Sequence, residues 1–138
     1  MSALQITDLP PLPAREPDSH KGTYGRILLV AGSPGMPGAA VLAARAALRS
    51  GSGLVTVAFA ESLAPAFTAA LPEAMQLQLP EPGSANHDEE VAARLGDDLA
   101  GRFDAIGAGP GLGTSATSRR VLECVLAAYN GPQVLDAD

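Results

Sequence analysis

Two glycine- and proline-rich stretches constrain this chain more than any other feature: Gly32-Ser33-Pro34-Gly35-Met36-Pro37-Gly38 and Gly107-Ala108-Gly109-Pro110-Gly111-Leu112-Gly113. Each follows a short apolar run and opens a helix of small residues. A strand, a glycine loop and a helix in succession place bare backbone N–H groups beside the positive end of a helix. That geometry suits an anion or a flat polar ligand. Two such units in one parallel sheet point to a nucleotide-like ligand held at the strand ends.

The chain has 138 residues, enough for one domain and too few for two comfortable ones. Its core must be built from Ala, Val and Leu, because 46% of the residues are hydrophobic, only 4% are aromatic and Trp is absent. Nine Lys and Arg against fifteen Asp and Glu give a net charge of −6, with no basic cluster, which argues against a nucleic-acid partner. No apolar run of about 18 residues spans a membrane and no signal core opens the chain, so a cytoplasmic protein is expected. Cys124 is the single cysteine, so no internal disulfide forms, and its apolar neighbours Val121, Leu122, Val125 and Leu126 predict a packed thiol.

Residues 1–19 carry Pro10, Pro11, Pro13 and Pro17 without sustained periodicity and read as an extended amino-terminal arm. A turn over His20 to Gly25 leads into a strand over Arg26 to Ala31, buried on both faces because it is almost wholly apolar. Helix is predicted over Gly38 to Ser50 and strand over Leu54 to Phe59. A short helix over Ser62 to Leu71 is broken at Pro72, and a third strand covers Ala74 to Leu79. Asp88 to Ala100 reads as one amphipathic helix, with Val91, Leu95 and Leu99 on a single face, and His87 just before it as a surface residue. Ala105 to Ala108 is a fourth strand. Thr114 or Ser115 caps a helix reaching Tyr129, and Gln133 to Asp136 starts a fifth strand. The alternation β-α-β-α-β-α-β-α-β predicts an α/β fold with a parallel sheet and right-handed crossovers.

The fifth strand arrives with two carboxylates, Asp136 and Asp138, at the sheet end where ligands bind, and it leaves apolar surface for another helix to cover. The expectation is therefore a piece of a longer enzyme. Neither loop is a Walker phosphate loop, since no Gly-Lys-Ser/Thr triplet follows, and Leu112 stands where a dinucleotide fingerprint needs its third glycine. Pro34, Pro37 and Pro110 remove further donors. His20 reads either as an acid, base or phosphate contact or as a hydrogen-bonded turn residue. Asp136 reads either as a Mg2+ ligand or proton acceptor or as a helix cap. No metal-ligand cluster, Ser-His-Asp order or paired-carboxylate motif is complete.

Taken in order, several segments resemble the ADP/ATP-dependent NAD(P)H-hydrate dehydratases. They are His20-Lys21-Gly22-Thr23-Tyr24-Gly25, Leu28 to Ser33, Pro37-Gly38-Ala39-Ala40, Leu48 to Val55, Leu71 to Met75, Gly109 to Gly113, and Val134 to Asp138. The resemblance runs from about His20 to the last residue. It implies a ribokinase-like three-layer α/β/α fold with a mainly parallel sheet, present as its amino-terminal half over residues 20–138.

The same resemblance implies repair of the hydrated cofactors NADHX and NADPHX. ADP or ATP, with Mg2+, phosphorylates the C6 hydroxyl, and elimination of phosphate restores the dihydropyridine. By resemblance, Ala39 and Gly38 let the hydrated nicotinamide approach the first helix, Gly111 and Gly109 contact it from the second loop, and Asp136 borders the same pocket. The family's catalytic aspartate and nucleotide site are expected beyond residue 138, so the chain by itself is expected to be inactive, as the amino-terminal half of a stand-alone enzyme without the fused epimerase domain. A homo-oligomer is expected for the full-length protein. Two rival readings are a small-molecule kinase of the same superfamily, acting on a sugar or hydroxymethyl group, and a non-catalytic truncated paralogue.

Overall fold

The computed structural model describes residues 14–84, 86–96 and 99–136. The residues 1–13 of the expected arm, and Asp138, lie outside them. Five parallel strands form one sheet: β1 (Arg26–Val30), β2 (Leu54–Ala60), β3 (Met75–Leu79), β4 (Ala105–Ala108) and β5 (Gln133–Leu135). Their spatial order is β3-β2-β1-β4-β5. The chain winds outward in one direction through β2 and β3, then returns across β1 and winds the other way. The reversal falls between β1 and β4, which makes the gap above those two strands the switch point of the sheet.

Helices cover both faces. On one side lie α1 (Pro37–Arg49) and α2 (Ala64–Ala70), and on the other α3 (His87–Leu95), the short α4 (Leu99–Arg102) and α5 (Ala116–Ala128). Side-chain alternation in the strands divides the core accordingly. Leu29, Val55, Val57 and Phe59 join Ala40, Ala44, Phe67 and Leu71 under α1 and α2. Leu28, Val30, Ala58 and Ile106 join Val91, Leu95, Val121 and Val125 under α3 and α5. The first face is lined by alanines, which let α1 sit close to β1 and β2. Phe59 and Phe67 fill the space that remains, their rings stacked with centroids 4.1 Å apart. The three-layer α/β/α architecture agrees with the expectation from the sequence.

Two local readings need correction, and one alternative is settled. The helix expected over Asp88 to Ala100 is two pieces, because Gly96 leaves the helical region at φ 77° and ends α3. Leu99, placed on the same stripe, still reaches the core, carried there by α4. The segment from Ser62 begins as a 3-10 turn over Glu61–Leu63 before α2 starts. Between Thr114 and Ser115, it is Ser115 that caps α5, its Oγ accepting the Ser118 N–H at 3.0 Å.

At the other edge, β5 carries Val134 at 75% exposure. It borders an apolar trough with Ala105, Gly107, Ala43 and Ala47 that no described helix covers. Among the described residues no helix is long and apolar enough to cross a membrane.

Candidate functional site

The two glycine loops follow β1 and β4, the neighbouring strands at the switch point, and are stitched together. Gly32 N–H donates to Pro110 O at 2.9 Å, and Ser33 Oγ–H donates to Gly111 O at 2.8 Å. Inside the loops, Met36 N–H reaches Ser33 O at 2.9 Å and Leu112 N–H reaches Gly109 O at 2.7 Å. Gly109 N–H continues the sheet to Val30 O at 3.1 Å. The expectation of bare N–H groups throughout both loops is thus too generous. Buried backbone donors must be paired, and these loops pair theirs internally at Met36 and Leu112, with the sheet at Gly109 and across to each other at Gly32. Donors without an intrahelical partner remain at the first turn of α1, where Gly38 and Ala39 follow Pro37.

The residues singled out in the sequence fall into two adjoining contacts. A side-chain carbon added at Gly111, where φ is +64°, would stand 2.8 Å from Ala39 Cβ and 2.7 Å from Met36 O. One added at Gly109 would stand 2.8 Å from Asp136 Cβ and 3.0 Å from its carbonyl. Asp136 extends the ladder past β5, its N–H donating to Ala108 O at 2.9 Å. Gly38, Ala39, Gly109, Gly111 and Asp136 therefore gather where the two loops meet the start of α1 and the end of β5. Gly38 is exposed, with nothing within 4 Å of an added carbon, so that part of the surface is open.

His20 does not join them. It precedes β1 and caps the 3-10 turn Lys21–Tyr24, its Nδ1 accepting the Gly22 N–H at 3.1 Å, at the opposite end of the strand from the loops. Of its two readings, the turn residue is the one observed. Arg15 lies against this turn, 4.4 Å over the Tyr24 ring, and donates to Gly51 O at 3.0 Å. Cys124 is half-buried against the α5 face of the core. Burial pushes its thiol pKa up, and the nearby Asp88 and Glu123 charges push it the same way, so it is not poised as a nucleophile.

The largest surprise is His87. Read as a surface residue because its neighbours are polar, it is buried, with 8% of its surface exposed. The missed signal was periodic: His87 stands four residues before Val91 and eight before Leu95, so it extends the buried stripe of α3 backward by one turn. It lines a cavity of about 330 Å3 at the carboxyl ends of β1, β2 and β3.

Comparison with known proteins bears on the family and the fold. The family described as NAD(P)H-hydrate dehydratase matches residues 27–138. The ADP-dependent (S)-NAD(P)H-hydrate dehydratase of Lactiplantibacillus plantarum is 44% identical over 124 residues, which make up 90% of this chain and 41% of that protein. A crystal structure of the ADP/ATP-dependent NAD(P)H-hydrate dehydratase from Bacillus subtilis, co-crystallized with ATP/Mg2+, aligns with a TM-score of 0.70 at 38% identity, covering 91% of this chain and 42% of that one. A ribokinase-like superfamily protein from Enterococcus faecalis V583 aligns with a TM-score of 0.70 at 32% identity, covering 88% of this chain and 39% of that one. The chain thus spans about two fifths of the length of these relatives. On the extent of the match and on the paired loops at its switch point, the chain belongs to the NAD(P)H-hydrate dehydratase family.

Proposed function

We propose that Gly38, Ala39, Gly109, Gly111 and Asp136 form the nicotinamide-facing wall of an enzyme that repairs the hydrates NADHX and NADPHX, an ADP- or ATP-dependent lyase. The observation that carries this reading is the contact between the loops. Gly111 and Ala39 meet so closely that no side chain intervenes, and the open backbone of Gly38 continues the same surface. A flat ring can approach peptide groups there at van der Waals distance. The positive end of α1 and its first-turn N–H groups face the polar edge of such a ring. Asp136 offers a carboxylate at the mouth of the same surface to accept a hydrogen bond from a hydroxyl or carboxamide.

Bound ADP or ATP with Mg2+ would supply the phosphoryl group that turns the C6 hydroxyl into a good leaving group. The described residues do not fit that group. They contain no cluster of three or more His, Cys, Asp or Glu that could hold the metal, and neither loop carries a Lys or Arg. The reading therefore assigns binding and orientation of the hydrate to this chain, and phosphoryl transfer to residues outside the described set. A cytoplasmic location and self-association through the alanine-rich α1, whose Leu42 is exposed, belong to the same reading.

The test is equilibrium binding of hydrated NADH to the chain and to Gly38→Val. The added side chain has open space around it, so the variant should fold normally while its branch blocks the ring. Binding by the parent chain and loss of binding in the variant are expected. Equal binding by both, or binding by neither, overturns the assignment. Preferential binding of a simple hydroxymethyl compound would favour a kinase of the same superfamily.

A further inference from the structure

Three successive carbonyls of the second loop are held by donors from outside it. Gly109 to Leu112 carry the residues of a type II turn, with Pro110 at its second position and Gly111, at φ +64°, at its third. Leu112 N–H closes the turn on Gly109 O at 2.7 Å. Pro110 O accepts the Gly32 N–H and Gly111 O accepts the Ser33 hydroxyl, both from the first loop. The third carbonyl, Leu112 O, accepts Ser118 Oγ–H at 2.7 Å, and this donor comes from α5.

Ser118 sits in the first turn of α5, three residues after the cap Ser115. A capping box would send a side chain there back to the N–H of the cap residue, but Ser118 reaches past the cap to Leu112. Its own N–H donates to Ser115 Oγ at 3.0 Å, and the two hydroxyl oxygens are 2.8 Å apart. Each hydroxyl has one proton to give. That of Ser118 goes to the carbonyl, so Ser115 Oγ–H donates to Ser118 Oγ and the direction of the relay is fixed. In a trans peptide the N–H points opposite to the C=O. With Leu112 O drawn toward α5, the Gly113 N–H is turned away from α5, and it meets no backbone acceptor among the described residues. Gly113 lies beside the residue that precedes α1, since a carbon added to it would stand 3.5 Å from Met36 Cε.

We infer that Ser118 is a positioning residue for the ligand of the loops. By holding Leu112 O it aims the Gly113 N–H at a carbonyl or hydroxyl oxygen of the bound ring, beside the surface of Gly38, Ala39 and Gly111. Ser118 touches no ligand and acts through the peptide between Leu112 and Gly113. Without its hydroxyl that peptide, followed by a glycine at φ +75°, can turn, and the donor leaves the site. The inference rests on the function proposed above, and adds to it the hydrogen bond that the second loop supplies.

The experiment is titration of the isotope-labelled 138-residue chain with hydrated NADH, read both as affinity and as the Gly113 amide resonance. In the parent chain the Gly113 amide proton should move downfield on binding. Ser118→Ala should weaken binding about 3- to 10-fold, the loss of one hydrogen bond, and should abolish that movement. Ser118→Thr keeps the hydroxyl and should restore both. A merely structural Ser118 would lower the urea midpoint of the alanine variant while its affinity and amide movement stayed as in the parent. That result overturns the inference and leaves the proposed function standing. The parent spectrum keeps the test decisive if Ser118→Ala folds poorly, because a Gly113 amide that stays in place on binding overturns the inference by itself. Absence of binding by the parent removes the proposed function and this inference together.

Discussion

Gly111 and Gly38 come from loops of similar composition, yet a methyl group added at each would meet opposite surroundings. At Gly111 it would press on the Met36 carbonyl at 2.7 Å and on Ala39 at 2.8 Å, in a backbone conformation that L residues rarely adopt. At Gly38 it would meet nothing within 4 Å, in the first turn of α1. The loop after β4 thus uses glycine so that two segments of chain can touch. The loop after β1 carries a glycine that packing does not require, and the space beside it is open. Glycine richness alone does not separate these cases; the neighbouring atoms do.

The comparison breaks most readily at Gly111. Gly111→Ala should destabilise the chain by about 2–4 kcal/mol, from left-handed backbone strain and overpacking against a carbonyl that cannot turn aside. Urea unfolding would measure it, and a loss no larger than at Gly38 would show that the loops do not meet as described. Ser33→Ala tests the same seam more gently. It removes the 2.8 Å bond to Gly111 O and should cost about 0.5–1.5 kcal/mol by the same measurement.

At the open position the effect on stability should reverse. Gly38→Ala replaces a helical glycine without a clash and should stabilise by up to about 1 kcal/mol. On the proposed function its binding of hydrated NADH should nevertheless fall, a split between stability and binding that titration beside unfolding would expose. The smallest effect is expected far from both loops, at the amino end of β1. There Asp104 takes the Arg26 N–H at 2.7 Å and the Arg26 guanidinium at 3.2 Å. These hydrogen bonds, first from the side chain and then from the backbone, hold its carboxyl below the ordinary carboxylate range. A depressed folded-state pKa contributes stability above the unfolded value, near 4, that is lost as pH falls through the folded one. Asp104→Asn should therefore lower the melting temperature slightly near neutrality, with parent and variant converging as the pH falls through the folded-state value, which flattens the acid limb. An unchanged acid limb would show that the pair contributes nothing.

Much of the candidate site could be found in the sequence because it depends on local chemistry. Glycine and proline after an apolar run mark a strand-to-helix turn wherever they occur, and both turns lie where they were expected. The use of their N–H groups could not be foreseen in the same way, since Gly32 donates to Pro110, 78 residues away. His87 was misread for a related reason. Its neighbours Asp88, Glu89 and Glu90 are exposed and outweigh the four-residue spacing to Val91, and the packing of α3 against α5 and the sheet shows which of the two signals counts.

By itself the sequence determined the kind of most elements and the parallel α/β plan, because periodicity, capping and turn residues act over a few positions and leave little choice. Tertiary structure alone decided the order β3-β2-β1-β4-β5, and with it the meeting of the two loops. Which strand lies beside which depends on the direction each crossover takes over the sheet. That direction is settled by burying two separate apolar faces at once, which no single segment can do alone.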